Sequence, residues 1–360
     1  MGNVVNETLT ETYRGKRVLV TGDTGFKGSW LSYWLQQMGA EVVGYALPPE
    51  RPNDHFHLLD LGKLIRHVDG DVRDAKLLSQ TFAEFQPEFL FHLAAQPIVR
   101  LSYQDPKTTF DTNVGGAVNI LEAVRQTPSL RSAIFVTSDK CYRNKEWLWG
   151  YRENDELGGH DPYSASKAAA ELVFSAYLDS YFRQRTDLGI ASVRAGNVIG
   201  GGDWAADRIV PDCMRLLGSS QPITLRNPHA TRPWQHVLDP LYGYLLLASH
   251  LARDPKRFEG SWNFGPSSHS VQTVQELAER IVAHWGDGEI IVTPDAQAPH
   301  EANLLRLNCD KAHQFLKWYP RWEFEETVRE TVRWYKGVAT GTPARQLTEA
   351  QIGAYMGEPQ

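Results

Sequence analysis

Apolar residues arrive in short unbroken runs through the first two-thirds of the chain, and each run gives way to a stretch with helical spacing. Residues 17–21 read as a short buried strand, followed by an amphipathic helix running to residue 38 and a second strand over 41–46. The pattern repeats, predicting strands over 66–68, 89–93, 132–137 and 189–195 and helices over 74–85, 105–125 and 161–182. Such alternation predicts an α/β fold on a doubly wound parallel sheet. After Gly200 the rhythm changes. Short apolar stretches at 223–225 and 234–238 mix with helices over 240–252, 274–285 and 324–335, which predicts a smaller mixed α/β C-terminal lobe.

The small and polar clusters fall at the carboxyl ends of the strands, where sheets of this kind bind ligands. Gly22-Asp23-Thr24-Gly25-Phe26-Lys27-Gly28 follows the first strand and opens the first helix. Glycines there let the backbone turn tightly against a pyrophosphate, and the helix start offers free N–H groups. A plain strand-to-helix turn is the alternative. Asp71 and Val72 end the third strand, where an acid can meet an adenine, and small Ala94 and Ala95 end the fourth. The pattern is that of a Rossmann sheet. The expected division is a dinucleotide-binding domain over 1–200, with parts of 230–265 returning to it, a substrate lobe over 201–340 and a peripheral tail over 341–360.

Tyr163 and Lys167, four apart at the start of the 161–182 helix, share one helix face. An ammonium beside a phenol favours the phenolate, so the tyrosine is expected to ionise well below about 10 and act as a base. An ordinary amphipathic helix is the plain alternative. Net charge is −6 with both signs interspersed, which argues against a nucleic-acid partner. The three cysteines, Cys141, Cys213 and Cys309, are far apart, and the twelve histidines show no ligand spacing, so no metal is expected. Residues 1–15 are polar, and the apolar run at 241–252 falls short of the ~20 residues of a membrane span. A cytoplasmic protein with no membrane contact is expected.

Together, the glycine loop, the Ser138 region and the Tyr163/Lys167 pair resemble the extended short-chain dehydrogenase/reductase family, over about 15–335. His92-Leu93-Ala94-Ala95, Thr112-Asn113-Val114 and Arg232-Pro233-Trp234 point to its nucleotide-sugar branch. Four further stretches are similar to the 4,6-dehydratases of that branch that act on CDP-glucose. These are Gly25-Phe26-Lys27-Gly28-Ser29-Trp30, Ala95-Gln96-Pro97-Ile98-Val99-Arg100, Thr137-Ser138-Asp139-Lys140-Cys141-Tyr142 and the run from Arg194 to Trp204.

The resemblance implies a lyase with CDP-glucose as substrate, NAD as a recycled cofactor, a place in deoxysugar (O-antigen type) synthesis, and a homo-oligomer, dimer or tetramer. Tyr163, helped by Lys167 and Ser138, would deprotonate the sugar 4-hydroxyl, and Asp139 would protonate the departing 6-hydroxyl. Lys140 stands where related dTDP-glucose enzymes carry a glutamate base. It is either a desolvated base at C5 or a fixed charge beside the enolate. Cofactor contacts are implied at Gly22, Thr24, Gly25, Phe26, Lys27, Gly28, Asp71, Val72, Leu93, Ala94, Ala95 and Thr112, besides Tyr163 and Lys167. Substrate contacts are implied at Gln96, Arg100, Asn197, Arg208, Arg232, His300 and Glu301, although each arginine fits a surface ion pair as well. No acid ends the second strand near Ala46, so NAD over NADP follows from the resemblance alone. An epimerase or decarboxylase on the same scaffold is the rival enzyme. A dinucleotide-sensing regulator is the rival outside catalysis, and it would have lost Tyr163 or Lys167.

Overall fold

The computed structural model describes residues 9–206, 208–267, 271–293 and 304–357. Strand β1 (Arg17–Thr21) leads through helix α1 (Phe26–Gln37) to β2 (Glu41–Ala46) and β3 (Arg66–Asp69), and α2 (Ala75–Phe85) leads to β4 (Phe89–His92). A helical stretch, α3 (Val99–Gln104), α4 (Pro106–Phe110) and α5 (Gly116–Gln126), precedes β5 (Ser132–Val136), and α6 (Pro162–Tyr177) precedes β6 (Gly189–Arg194). Next come β7 (Val198–Ile199), α7 (Ile209–Gly218), β8 (Ile223–Leu225), β9 (Thr231–Pro233), β10 (Gln235–His236), α8 (Leu238–Arg253) and β11 (Gly260–Asn263). The described chain ends with β12 (Val271–Thr273), α9 (Val274–Trp285), β13 (Ile290–Val292), α10 (Phe324–Ala339) and α11 (Ala344–Met356).

Seven strands form one sheet in the order β11-β6-β5-β4-β1-β2-β3, and every neighbouring pair is parallel. The central strands are buried along almost their whole length, which explains their solid apolar runs. From β1 the chain steps outward to β2 and β3, then returns to the other side of β1 as β4. The crevice at the β1 and β4 ends is therefore the topological switch point, where a doubly wound sheet binds ligands. Thr21 and His92 are register partners there, and their side chains meet at 2.7 Å. The smaller pairs β7–β10, β8–β13 and β9–β12 lie outside this sheet.

Three elements differ from expectation. The helix expected over 105–125 is interrupted by a π-turn at Asp111–Gly115, which carries Thr112 and Asn113. Helix α1 is not amphipathic. It is buried without a break from Gly28 through Leu35 because α8 and α11 cover the side away from the sheet. Trp34 packs on Tyr242 and Tyr355, and the Tyr33 hydroxyl bonds Glu349. Finally, the stretch expected as a peripheral tail folds into α11 and joins the core. Thr348, Gln351, Ile352 and Tyr355 are buried, and the Tyr355 hydroxyl reaches Asp239 at 2.8 Å. Two of those four side chains are polar, so their helical period does not register as hydrophobic patterning.

Candidate active site

The glycine loop is shaped by contacts that no side chain could share. Gly22 has φ +79°, and a Cβ there would come within 2.8 Å of the Ala94 nitrogen. A Cβ on Gly28 would stand 1.9 Å from the Gly22 carbonyl, so the first turn of α1 lies directly on the loop. Gly25 caps α1 without a side-chain bond, and no acid sits in the first turn. The helix start therefore presents bare N–H groups and positive dipole beside the switch point, which fits the pyrophosphate of a dinucleotide. Thr24 donates to the Leu47 carbonyl at 2.9 Å, fastening the loop to the end of β2. Leu93, Ala94 and Ala95 follow β4 against Gly22, with the Leu93 N–H on the Thr21 carbonyl. Val72 is buried against Gly116. Asp71 is clasped by Arg73 through the backbone N–H, Nε and Nη2, which holds its carboxyl below the usual range.

The second half of the site is built by α6 and the end of β5. Asp161 caps α6, accepting from the Ser164 N–H at 2.9 Å and from its hydroxyl at 2.6 Å. The Tyr163 N–H donates to the Ser102 hydroxyl at 3.1 Å, which ties the helix start to α3. Tyr163 and Lys167 are both buried. Beyond β5, Ser138 caps a short turn, Asp139–Cys141, accepting from the Lys140 N–H at 3.2 Å and donating to Asp139 Oδ1 at 3.0 Å. The Ser138 side chain also acts on the Tyr163 hydroxyl, drawing its pKa down. Asp139 is buried against Gly196, where a Cβ would fall 2.0 Å from its Oδ2.

Burial dominates the electrostatics. It pushes the Tyr163 hydroxyl up to about 12; Ser138 and Arg208 pull it down, and Asp139 pushes it further up. Burial also lowers Lys167 to about 8, against Cys141 and Glu171. Lys27 is lowered to about 8 as well, by burial and then Arg208, with Asp139 opposing and Lys167 adding. The expectation that Lys167 would draw Tyr163 well below 10 is corrected: its ammonium couples to Cys141 and Glu171, while desolvation governs the phenol. Lys140 is exposed, with Nζ 5.9 Å from the Tyr163 ring centroid.

Of the substrate candidates, Arg208 joins the cluster, bonded to Asp203 at 2.8 Å and close enough to act on Tyr163. Gln96 does not face a ligand. Its Nε2 donates to Thr109 at 2.8 Å and its Oε1 accepts from the Ile98 N–H at 2.6 Å, so the buried amide holds the loop after β4. Arg100 is exposed on α3, Asn197 adopts a left-handed backbone with φ 51°, and Arg232 is half-buried on β9. His300 and Glu301 lie outside the described residues. Among the described residues, no three His, Cys, Asp or Glu side chains cluster to hold a metal, and no helix is long and apolar enough to cross a membrane.

The family model described as GDP-mannose 4,6 dehydratase matches residues 19–331. The chain belongs to that family. It is 47% identical to CDP-glucose 4,6-dehydratase from Salmonella typhimurium, over 96% of this chain and 97% of the relative. Among solved structures, UDP-glucose 4-epimerase from Thermus thermophilus in complex with NAD aligns at TM-score 0.75 and 27% identity, covering 89% of this chain and 99% of that one. A dTDP-glucose 4,6-dehydratase from Streptomyces venezuelae with NAD bound aligns at 0.76 and 25%, covering 89% and 97%.

The sequence singles out Asn113 only as part of a motif and Glu171 not at all, and both build the site. Glu171, one turn beyond Lys167, is fully buried and accepts from Thr137 at 2.5 Å, Ser192 at 2.8 Å and Arg194 at 2.6 Å. Burial alone would raise its carboxyl, but the Arg194 guanidinium holds it below the usual range. The pair fixes the backbone just before Ser138. Asn113 bridges the loop after β4 to α6, bonding the Gln96 backbone at 2.8 and 3.1 Å and the Ser166 hydroxyl at 2.8 Å. The eight-residue interval from Tyr163 puts Glu171 on the helix face shared by Tyr163 and Lys167 and could have flagged it, whereas the pairing with Arg194 has no signature in sequence.

Proposed function

We propose that the protein is an NAD-dependent CDP-glucose 4,6-dehydratase, a lyase that converts CDP-D-glucose to CDP-4-keto-6-deoxy-D-glucose. The observation that carries this reading is Asp139, a buried carboxyl one hydrogen bond from Ser138, whose side chain acts in turn on the Tyr163 hydroxyl. Near-full-length identity to a CDP-glucose 4,6-dehydratase supports the choice of substrate. NAD, when bound, takes hydride from C4 of the sugar and returns it to C6, so the reaction is redox-neutral.

Tyr163 accepts the 4-hydroxyl proton, with Ser138 holding the phenol oxygen in place. Once C4 is a ketone, the C5 hydrogen is acidic. Asp139 gives its proton to the 6-hydroxyl, which departs as water, while the C5 proton passes to a base other than Lys140, a water in the cleft being the simplest acceptor. The exposed Lys140 serves as a positive charge beside the C4–C5 enolate. Arg208 and Asn197 bind the diphosphate region of the substrate. A cytoplasmic homo-oligomer in lipopolysaccharide-type deoxysugar synthesis is part of the same reading, and exposed Phe110, Leu172 and Tyr181 on adjoining helices support the assembly.

The test is incubation of purified protein with CDP-, dTDP-, GDP- and UDP-glucose. CDP-glucose alone is expected to lose water and yield a product that absorbs in alkali. An epimerised sugar with no loss of water would replace this reading with the epimerase one.

A further inference from the structure

Strand β2 ends without an acid at Ala46, the place where a Rossmann sheet meets the adenosine ribose. The sheet register supplies one from the next strand. Asp69, the last residue of β3, is the register partner of Ala46. Its side chain is 70% exposed, and its Oδ1 lies 3.1 Å from His67 Nε2. The other ring nitrogen of His67, Nδ1, lies 2.7 Å from Asp23 Oδ2. Asp23 belongs to the glycine loop itself. It is fully buried and fills the space over Gly44, where a Cβ would come within 2.0 Å of its Oδ2. Its Oδ1 is buried with no hydrogen-bond partner. Two carboxylates thus flank one imidazole on a line from the glycine loop to the end of β3, and Phe56 packs against the ring with centroids 5.2 Å apart.

Whether or not the imidazole is protonated, this line carries net negative charge. Two arginines near the same strand ends are committed elsewhere. Arg51 donates to the Trp204 carbonyl at 2.7 Å, and Arg73 clasps Asp71.

We propose that the Asp23–His67–Asp69 line, in place of an acid at the end of β2, makes the site select NAD over its 2′-phosphorylated counterpart. The inference rests on the NAD reading above and deepens it. A ribose 2′-phosphate would bring close to two negative charges to a rim already negative, and such repulsion is strongest where the dielectric is below that of water. The free ribose of NAD brings only hydroxyls, for which Asp69 is an acceptor.

The test is calorimetric titration of the full-length protein, cleared of carried-over dinucleotide, with NADH and with NADPH, in the parent and in Asp69→Asn and Asp69→Lys. Asp69 is exposed, so both variants are expected to fold. The parent should prefer NADH by at least about tenfold, and added salt should narrow that gap. Asp69→Asn should narrow it by about three- to tenfold, and Asp69→Lys should abolish or invert it. Equal binding of both dinucleotides by the parent, or an unchanged ratio in both variants, would overturn the assignment. A parent that binds neither dinucleotide would overturn the NAD reading beneath it.

Discussion

The Tyr163 hydroxyl, pushed up to about 12 by burial, stays protonated at neutral pH and is available as a base only where further positive charge stands beside it. The nicotinamide ring of NAD carries such a charge, and Arg208 already contributes one from the protein. At Lys167 the sign runs the other way. Burial lowers the ammonium to about 8, so the charged form holds below pH 8 and is lost above it. We expect kcat/KM to fall as pH rises through about 8, and Lys167→Arg, which stays charged, to carry its remaining activity to higher pH. The same fall in the arginine variant would remove Lys167 from that limb. Asp139→Asn keeps the shape of the side chain but has no proton to give. Water loss should slow by about 10²–10⁴-fold while the C4 hydride still transfers, visible as NADH absorbance that persists in a single turnover. An asparagine enzyme as fast as its parent would dismiss Asp139 as the acid.

Among the elements, the contact between the glycine loop and α1 has the least tolerance. Gly28→Ala would drive a methyl to 1.9 Å from the Gly22 carbonyl, so either the loop or the helix start must shift. NADH affinity should drop by about tenfold or more, and an alanine enzyme that titrates like the parent would show that the loop does not hold the cofactor. Asn113 governs a different junction. It closes the π-turn onto both the loop after β4 and α6, so Asn113→Ala strands buried partners on two elements at once. A loss of about 2–3 kcal/mol in a denaturant titration is expected. A loss within about 0.5 kcal/mol, the range of ordinary surface changes, would mean that the junction is held by packing instead.

Across the whole molecule, three buried histidines contribute to the response to acid. His55, His92 and His236 are each held at about 3, with burial as the leading cause. The unfolded chain takes up these protons near 6.5 and the folded protein does not, so stability should fall as pH drops from 6.5 toward 3. Each histidine contributes up to about 1.4 kcal/mol per pH unit in that window. Asp239, lifted to about 7 by burial, opposes the trend between its ordinary value and 7, as do the raised Asp23, Glu153 and His67, whereas His250 and His313, lowered by burial, add to it. Denaturation midpoints that stay flat from pH 6.5 to 4 would contradict this account. His55 also joins distant parts of the chain, meeting Ser29 of α1 at 2.8 Å and Thr348 of α11 at 3.1 Å.

Local pattern settled most of the architecture. Parallel strands buried on both faces must be solidly apolar, and a glycine loop between strand and helix leaves few other conformations, so the sheet and the loop are legible in the sequence. That Tyr163 and Lys167 share one helix was legible for the same reason, since four residues along a helix is a fixed geometry. Only the tertiary structure decided what depends on neighbours far away in the chain. It committed Gln96 to its own loop, paired Glu171 with Arg194, buried α11 through polar side chains and set Asp69 level with Ala46. Spacing along a chain reports which residues share a face, whereas burial, charge coupling and strand register arise only once separate elements have packed.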